Sequence, residues 1–134
     1  MRQIKFKGCD IQDTWRYGSL LIDEVPIIGT QYIIVQDRIQ YVLPDYSSIG
    51  QSINRNDIND KEAFTGDIIQ RWHEEIRDRK HLICGVIFYD DSKLEYRIKN
   101  IRSDTYISDC DSMWIGHDFK IIGNIHDNPE LLTK

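Results

Sequence analysis

The stretch LICGVIFYDDSKLEYRIK, residues 82–99, decides the fold. In its second half Leu94, Tyr96 and Ile98 alternate with Lys93, Glu95, Arg97 and Lys99, the period of two expected of a strand with one buried face. Its first half, from Leu82 to Tyr89, is apolar on both faces, which suits a strand in the middle of a sheet. Between them Asp90-Asp91-Ser92 supplies side chains that bond to nearby backbone and favour a turn. The two halves read as an antiparallel hairpin whose first arm is central.

Outward from this hairpin, strand-like segments recur at 2–7, 15–22, 31–35, 38–43, 67–72, 81–89, 94–99 and 119–125, most of them bounded by Gly, Asp, Asn or Ser. Residues 66–80 carry two periods at once. Ile68, Ile69, Trp72 and Ile76 fit a helical stripe, whereas Gly66-Asp67 ahead of paired isoleucines and the charged run from Glu74 fit a strand that enters an exposed hairpin tip. The strand is preferred, with a helix over 67–79 as the alternative. In FKIIGNIHDNPELL, residues 119–132, Phe119, Ile121, Gly123 and Ile125 share one face of an extended chain, opposed by Lys120, Asn124 and His126, and Ile122 breaks the pattern. Asn128 as N-cap, Pro129 at the first helical position and Glu130 in the first turn then predict a short final helix with Leu131 and Leu132 packing back. The expected architecture is mainly β: a small barrel-like antiparallel domain resembling SH3-like barrels, with a short C-terminal helix and room for one additional helix in the middle of the chain.

At 134 residues the chain has the length of one domain, 1–134. Its 17 Lys and Arg against 22 Asp and Glu give a net charge of −5 and no general attraction to phosphate backbones, so nucleic-acid binding would need a local basic patch. The longest apolar runs fall far short of the ~20 residues of a membrane helix, so a soluble protein is expected. The alternation of Ile4 and Phe6 with Gln3, Lys5 and Lys7 reads as a first strand and not as a signal peptide. Cys9, Cys84 and Cys110 are odd in number and unspaced for pairing, as in a reducing cytoplasm.

Candidate chemistry is sparse. His81 and Cys84, three apart on a strand, point to opposite faces, and no paired Cys or His cluster has zinc-site spacing. Asp57, Asn59 and Lys61 alternate like the opening of a calcium loop, but Lys61 is a cation at a ligand position and Ile68 stands where the closing acid belongs, which makes this stretch a polar turn. Asp104, Asp109 and Asp111 read as solvated loop carboxylates. There is no nucleophile elbow, phosphate-binding glycine loop or dinucleotide fingerprint. No catalytic residue, metal ligand or cofactor is assigned, and an enzyme is the least supported class. Trp15, Tyr17, Trp72, Tyr89, Tyr96 and Trp114 offer aromatic surface if they are not all core.

The segments IKFKG at 4–8, WRYGSLLI at 15–22, Pro44 with SIGQS at 48–52, DKEAFTGDII at 60–69 and FKIIGNIHDNPELL resemble, in order and spacing, the YopX family of small proteins associated with bacteriophages and prophages. Two departures mark a diverged member: Ser52-Ile53-Asn54-Arg55 replaces a threonine-glycine-leucine turn, and Cys9 replaces an aromatic. The resemblance implies a phage or prophage accessory protein in the bacterial cytoplasm and a mainly β fold. It brings no catalytic residue or cofactor. The expected role is a non-catalytic protein-interaction module for a host or phage protein, with homo-oligomerisation through unpaired strand edges left open. The alternative is nucleic-acid binding through a basic hairpin patch, for which the candidate surface is Arg71, Trp72, Lys93, Arg97, Lys99 and Arg102.

Overall fold

The computed structural model describes residues 4–74, 80–102, 110–112 and 118–132. The chain divides into two compact units, Met1–Asn54 and Arg55–Lys134, called units 1 and 2. Unit 1 contains β1 (Phe6–Cys9), β2 (Trp15–Val25), β3 (Gly29–Gln36), β4 (Ile39–Leu43) and most of β5 (Gly50–Asn56), in the sheet order β4-β3-β2-β1-β5. The end of β5 turns through residues 57–61 into the short β6 (Glu62–Phe64), which follows it at the sheet edge. Unit 2 is dominated by a second sheet, built from β7 (Asp67–Glu74), β8 (Lys80–Asp90), β9 (Glu95–Arg102), β10 (Cys110–Ser112) and β11 (Phe119–Asn124) in the order β10-β9-β8-β7-β11. These strands pair antiparallel wherever their register is defined among the described residues.

β8, apolar on both faces, is the central strand of its sheet, as its sequence requires. Directly opposed residues share a face, so Ile83, Gly85 and Ile87 of β8 lie with Ile69 of β7, Ile98 of β9 and Phe119 and Ile121 of β11. Ile69, Ile83, Ile87, Ile98 and Phe119 are buried there. The ambiguous stretch resolves as strand from Asp67 to Glu74, because β8 and β11 flank it on both sides; residues 75–79 lie outside the described residues. In unit 1 the corresponding centre is Ile34, with Leu43 and Gly8 beside it; a Cβ on Gly8 would meet Leu43 Cδ1 at 2.6 Å, so only glycine lets β1 pass this close.

The expected mainly β, antiparallel architecture is present, its strands arranged as two sheets in the orders given above. Two expectations near the C-terminus need correction. The final helix is a single 3-10 turn, Pro129–Leu132, in which Leu131 is half-buried and Leu132 exposed. Asn128 begins it but turns its Oδ1 backward to accept the Asn124 amide at 3.2 Å instead of capping forward. Ile122, the residue that broke the alternation, sits where the β11–β7 register shifts between Ile121 and Gly123: it is the extra residue of a β-bulge. No α-helix occurs among the described residues, and none there is long and apolar enough to cross a membrane.

Candidate interaction surface

β7 carries Arg71 near its middle. Arg71 stands opposite Ile83 of β8 and Phe119 of β11, on the buried face, is 4% exposed, and donates through Nη2 to Asn100 Oδ1 at 3.3 Å. Arg97 and Lys99 lie on the other face, opposite Phe88 and Val86. Arg97 is shared between two carboxylates: its Nη1 donates to Glu95 Oε1 at 2.9 Å, and its Nε lies 3.6 Å from Asp90 Oδ2. Lys93, in the β8–β9 turn, and Lys99 are exposed. Trp72 and Arg102 pair in register with Leu82 and Cys84; their side chains lie outside the described residues, as do those of His81, Cys110 and Asp111 and the whole of Asp104, Asp109 and Trp114. The fold thus brings Arg97 and Lys99 together, holds Lys93 in the adjoining turn, and separates Arg71 from all three.

The carboxylates of three loops are committed to holding backbone. Asp10 Oδ1 accepts the amides of Gln12 and Thr14 at 2.9 and 3.0 Å while its Oδ2 takes Arg16 Nε at 2.8 Å. The Arg16 hydrogen bond, helped by those two amides, outweighs burial and holds the Asp10 carboxyl below the usual carboxylate range. Asp57 repeats the arrangement: Oδ1 accepts Asn59 and Lys61 amides, both at 2.9 Å, and Oδ2 accepts the Ile121 amide at 2.9 Å. Burial acts to raise its pKa, but the three amides and the Lys61 charge outweigh it and lower the value. Asp90 takes the Ser92 hydroxyl at 2.6 Å together with the Ser92 and Lys93 amides, and its pKa is lowered mainly by that hydroxyl. The alternation of Asp57, Asn59 and Lys61 is therefore the imprint of a carboxylate-clasped turn. A general acid needs its pKa raised toward neutrality; these three move the other way and are ionised anchors.

Unit 1 presents a different surface. Tyr17, Leu21, Ile22, Ile39 and Val42 are all exposed on its strands. Across the sheet Leu21, Ile33 and Val42 stand in one row on one face, while Ile22 and Ile39 belong to the other. The β2–β3 turn, Pro26-Ile27-Ile28, is apolar where polar residues are the rule, with Ile27 107% and Ile28 71% exposed. Ile27 also sits at φ 73°, a region that β-branched residues rarely occupy. Of the aromatics, Trp15 lies under Lys7, whose Nζ is 4.8 Å from the ring centroid, Tyr41 lies under Arg16 at 3.8 Å, and Tyr89 and Tyr96 pair edge-on at 5.3 Å. Sequence reasoning passed over the Pro26-Ile27-Ile28 turn; its signal was an apolar pair where a strand pattern should have given way to turn residues.

Two antiparallel sheets, loop carboxylates bound to backbone and an exposed apolar turn define a mainly β protein. The chain belongs to the YopX family: the family model described as YopX protein matches residues 9–133, nearly its whole length. No curated protein matches the sequence.

Proposed function

We propose that the chain is a phage or prophage accessory protein that acts in the bacterial cytoplasm by non-catalytic association with a host or phage protein, its 134 residues working as one YopX-like domain. The observation that carries this reading is the exposure of Leu21, Ile22, Ile27, Ile28, Ile39 and Val42 in unit 1. Exposed apolar surface of this extent is costly in a free monomer and is characteristic of protein contacts. The loop carboxylates give supporting weight, since all three with shifted pKa values are held in the ionised form by hydrogen bonds.

A second reading, nucleic-acid binding, is favoured by the exposure of Lys93 and Lys99 beside Arg97 on the β8–β9 hairpin. Arg71, the other described cation of the expected patch, is buried on the opposite face and would not share in it. A tagged pull-down from the host, with and without nuclease and at two salt concentrations, separates the two. A protein partner that survives nuclease and salt supports association. Nucleic acid held at low salt and lost at high salt, by release of counterions from phosphates, would replace that reading with the second.

A further inference from the structure

We infer that the β2–β3 arm is a docking finger that inserts its tip into an apolar cleft of a protein partner whose rim carries Lys or Arg, an inference that rests on the interaction-module reading above. β2 pairs with β1 only from Trp15 to Gly18, and β3 pairs with β4 only from Tyr32 to Gln36. Ser19–Ile22 pair with residues that β4 flanks on the other side, and beyond them Asp23↔Gln31, Glu24↔Thr30 and Val25↔Gly29 form a two-stranded end to the arm among the described residues. Two-stranded ribbons are marginal in water unless a face is covered. At its base Leu21 on one face is 42% exposed and Ile22 on the other 56%, and its tip carries Ile27 and Ile28, 107% and 71% exposed.

Charge selects the partner. SLLIDEVPIIGTQ, residues 19–31, contains no Lys or Arg and two carboxylates, Asp23 and Glu24. They fall on opposite faces, Asp23 with Leu21 and Glu24 with Ile22. Glu24 Oε1 accepts the Thr30 hydroxyl across the ribbon at 2.9 Å, which fixes its head on the arm's surface. An acidic collar behind an apolar tip repels nucleic-acid phosphates and anionic lipid headgroups. Arm-to-arm pairing between two copies would gather four carboxylates on a ribbon that has no cation to meet them. A protein cleft with an apolar floor and a basic rim satisfies both features.

The test uses the full chain in its bacterial host, with a photo-reactive amino acid at position 27 or, as a control, at position 93 in the other exposed turn. The expected result is an adduct with one protein at position 27 and not at 93. The crosslinked peptide should lie in an apolar cleft flanked by Lys or Arg, and the adduct should fall at least tenfold when Asp23→Lys and Glu24→Lys are combined. Circular dichroism melting of that variant establishes that it is folded; Ile28→Asp, with the collar intact, should reduce the adduct as much. An adduct with a second copy, with nucleic acid or with lipid overturns the inference, as does a protein adduct indifferent to charge reversal. An adduct only at position 93 overturns the finger and leaves the interaction-module reading standing; no protein adduct at either position sinks both.

Discussion

Units 1 and 2 dispose of their polar and apolar groups in different ways. In unit 2 charge is bound internally: Asp57 holds three amides, Asp90 and Glu95 share Arg97, and Arg71 donates to Asn100. Unit 1 has such knots too, Asp10 with Arg16 and Asp45 with Ser47, but also sends many apolar side chains outward. Ten of the fifteen large apolar side chains exposed among the described residues are in unit 1. In unit 2, Ile58 and Leu94 stand singly in turns, where exposure is ordinary, and Tyr89 lies on β8 beside Tyr96. The contrast sets stability against exposure: clasped carboxylates hold strands together, and the tip of the arm is left in solvent.

The clasps themselves form a second comparison. DIQDT at 10–14 and DINDK at 57–61 fold alike: the aspartate accepts amides two and four residues on, Asp13 and Asp60 take φ 61° and 62°, and the amides of Ile11 and Ile58 reach the carbonyls of Val42 and Phe119. They differ at the second oxygen. Asp10 closes locally on the half-exposed Arg16, whereas Asp57 crosses 64 residues to the Ile121 amide next to the β11 bulge.

The largest effect should follow loss of the longer clasp. Asp57→Ala strands three amides and should cost about 3 kcal/mol, or roughly 10 °C in Tm, on the scale of hydrogen bonds to charged groups. Differential scanning calorimetry reads this directly, and a shift under about 1 kcal/mol would break the assignment. Asp10→Ala should cost less, about 2 kcal/mol, because its third partner is a side chain that water can reach. Arg16→Ala should fall below both in the same scan while also losing the guanidinium over Tyr41.

Acid should act through the same groups. The folded pKa values of Asp10 and Asp57 lie below their unfolded values, so their contribution is complete above the ordinary carboxylate range, near pH 4, and is lost as pH falls through the folded values. Melting followed from pH 7 to pH 2 should be flat at first and fall at the acid end. Asp57→Asn should flatten that limb, and an unchanged limb would show that other groups titrate there. At the tip, Ile27→Gly removes a β-branched residue from a left-handed conformation and should raise stability by about 0.5–1 kcal/mol, measured by urea unfolding. A loss there would mean that Ile27 has packing partners.

Much of this was legible in the residues. The LICGVIFYDDSKLEYRIK hairpin, the central place of β8 and the strand at Asp67 follow from period and turn chemistry, and Ile122 announced its bulge by breaking the period. β5 did not show itself because GQSINRN holds a single large apolar residue; it is a strand because β1 pairs with it at Phe6↔Gln51 and Lys7↔Gly50. β6 and β10, three residues each, are too short to carry a period. The basic residues were visible as charges, but their partners were not: Glu95 is two residues from Arg97, yet Asn100 meets Arg71 only across three strands. The arm was hidden for the opposite reason, since exposure of an isoleucine is a property of the fold and has no local code.

The smallest change in stability should accompany the variant that matters most for the division between the units. Ile27→Asp with Ile28→Asp removes the apolar tip while touching no clasp, and its retention on a phenyl matrix, measured beside its melting temperature, tests that division. Earlier elution than the wild type at a Tm within about 3 °C is the result expected of an exposed tip outside the core. Unchanged retention, or a fall in Tm comparable to that of Asp57→Ala, would contradict it.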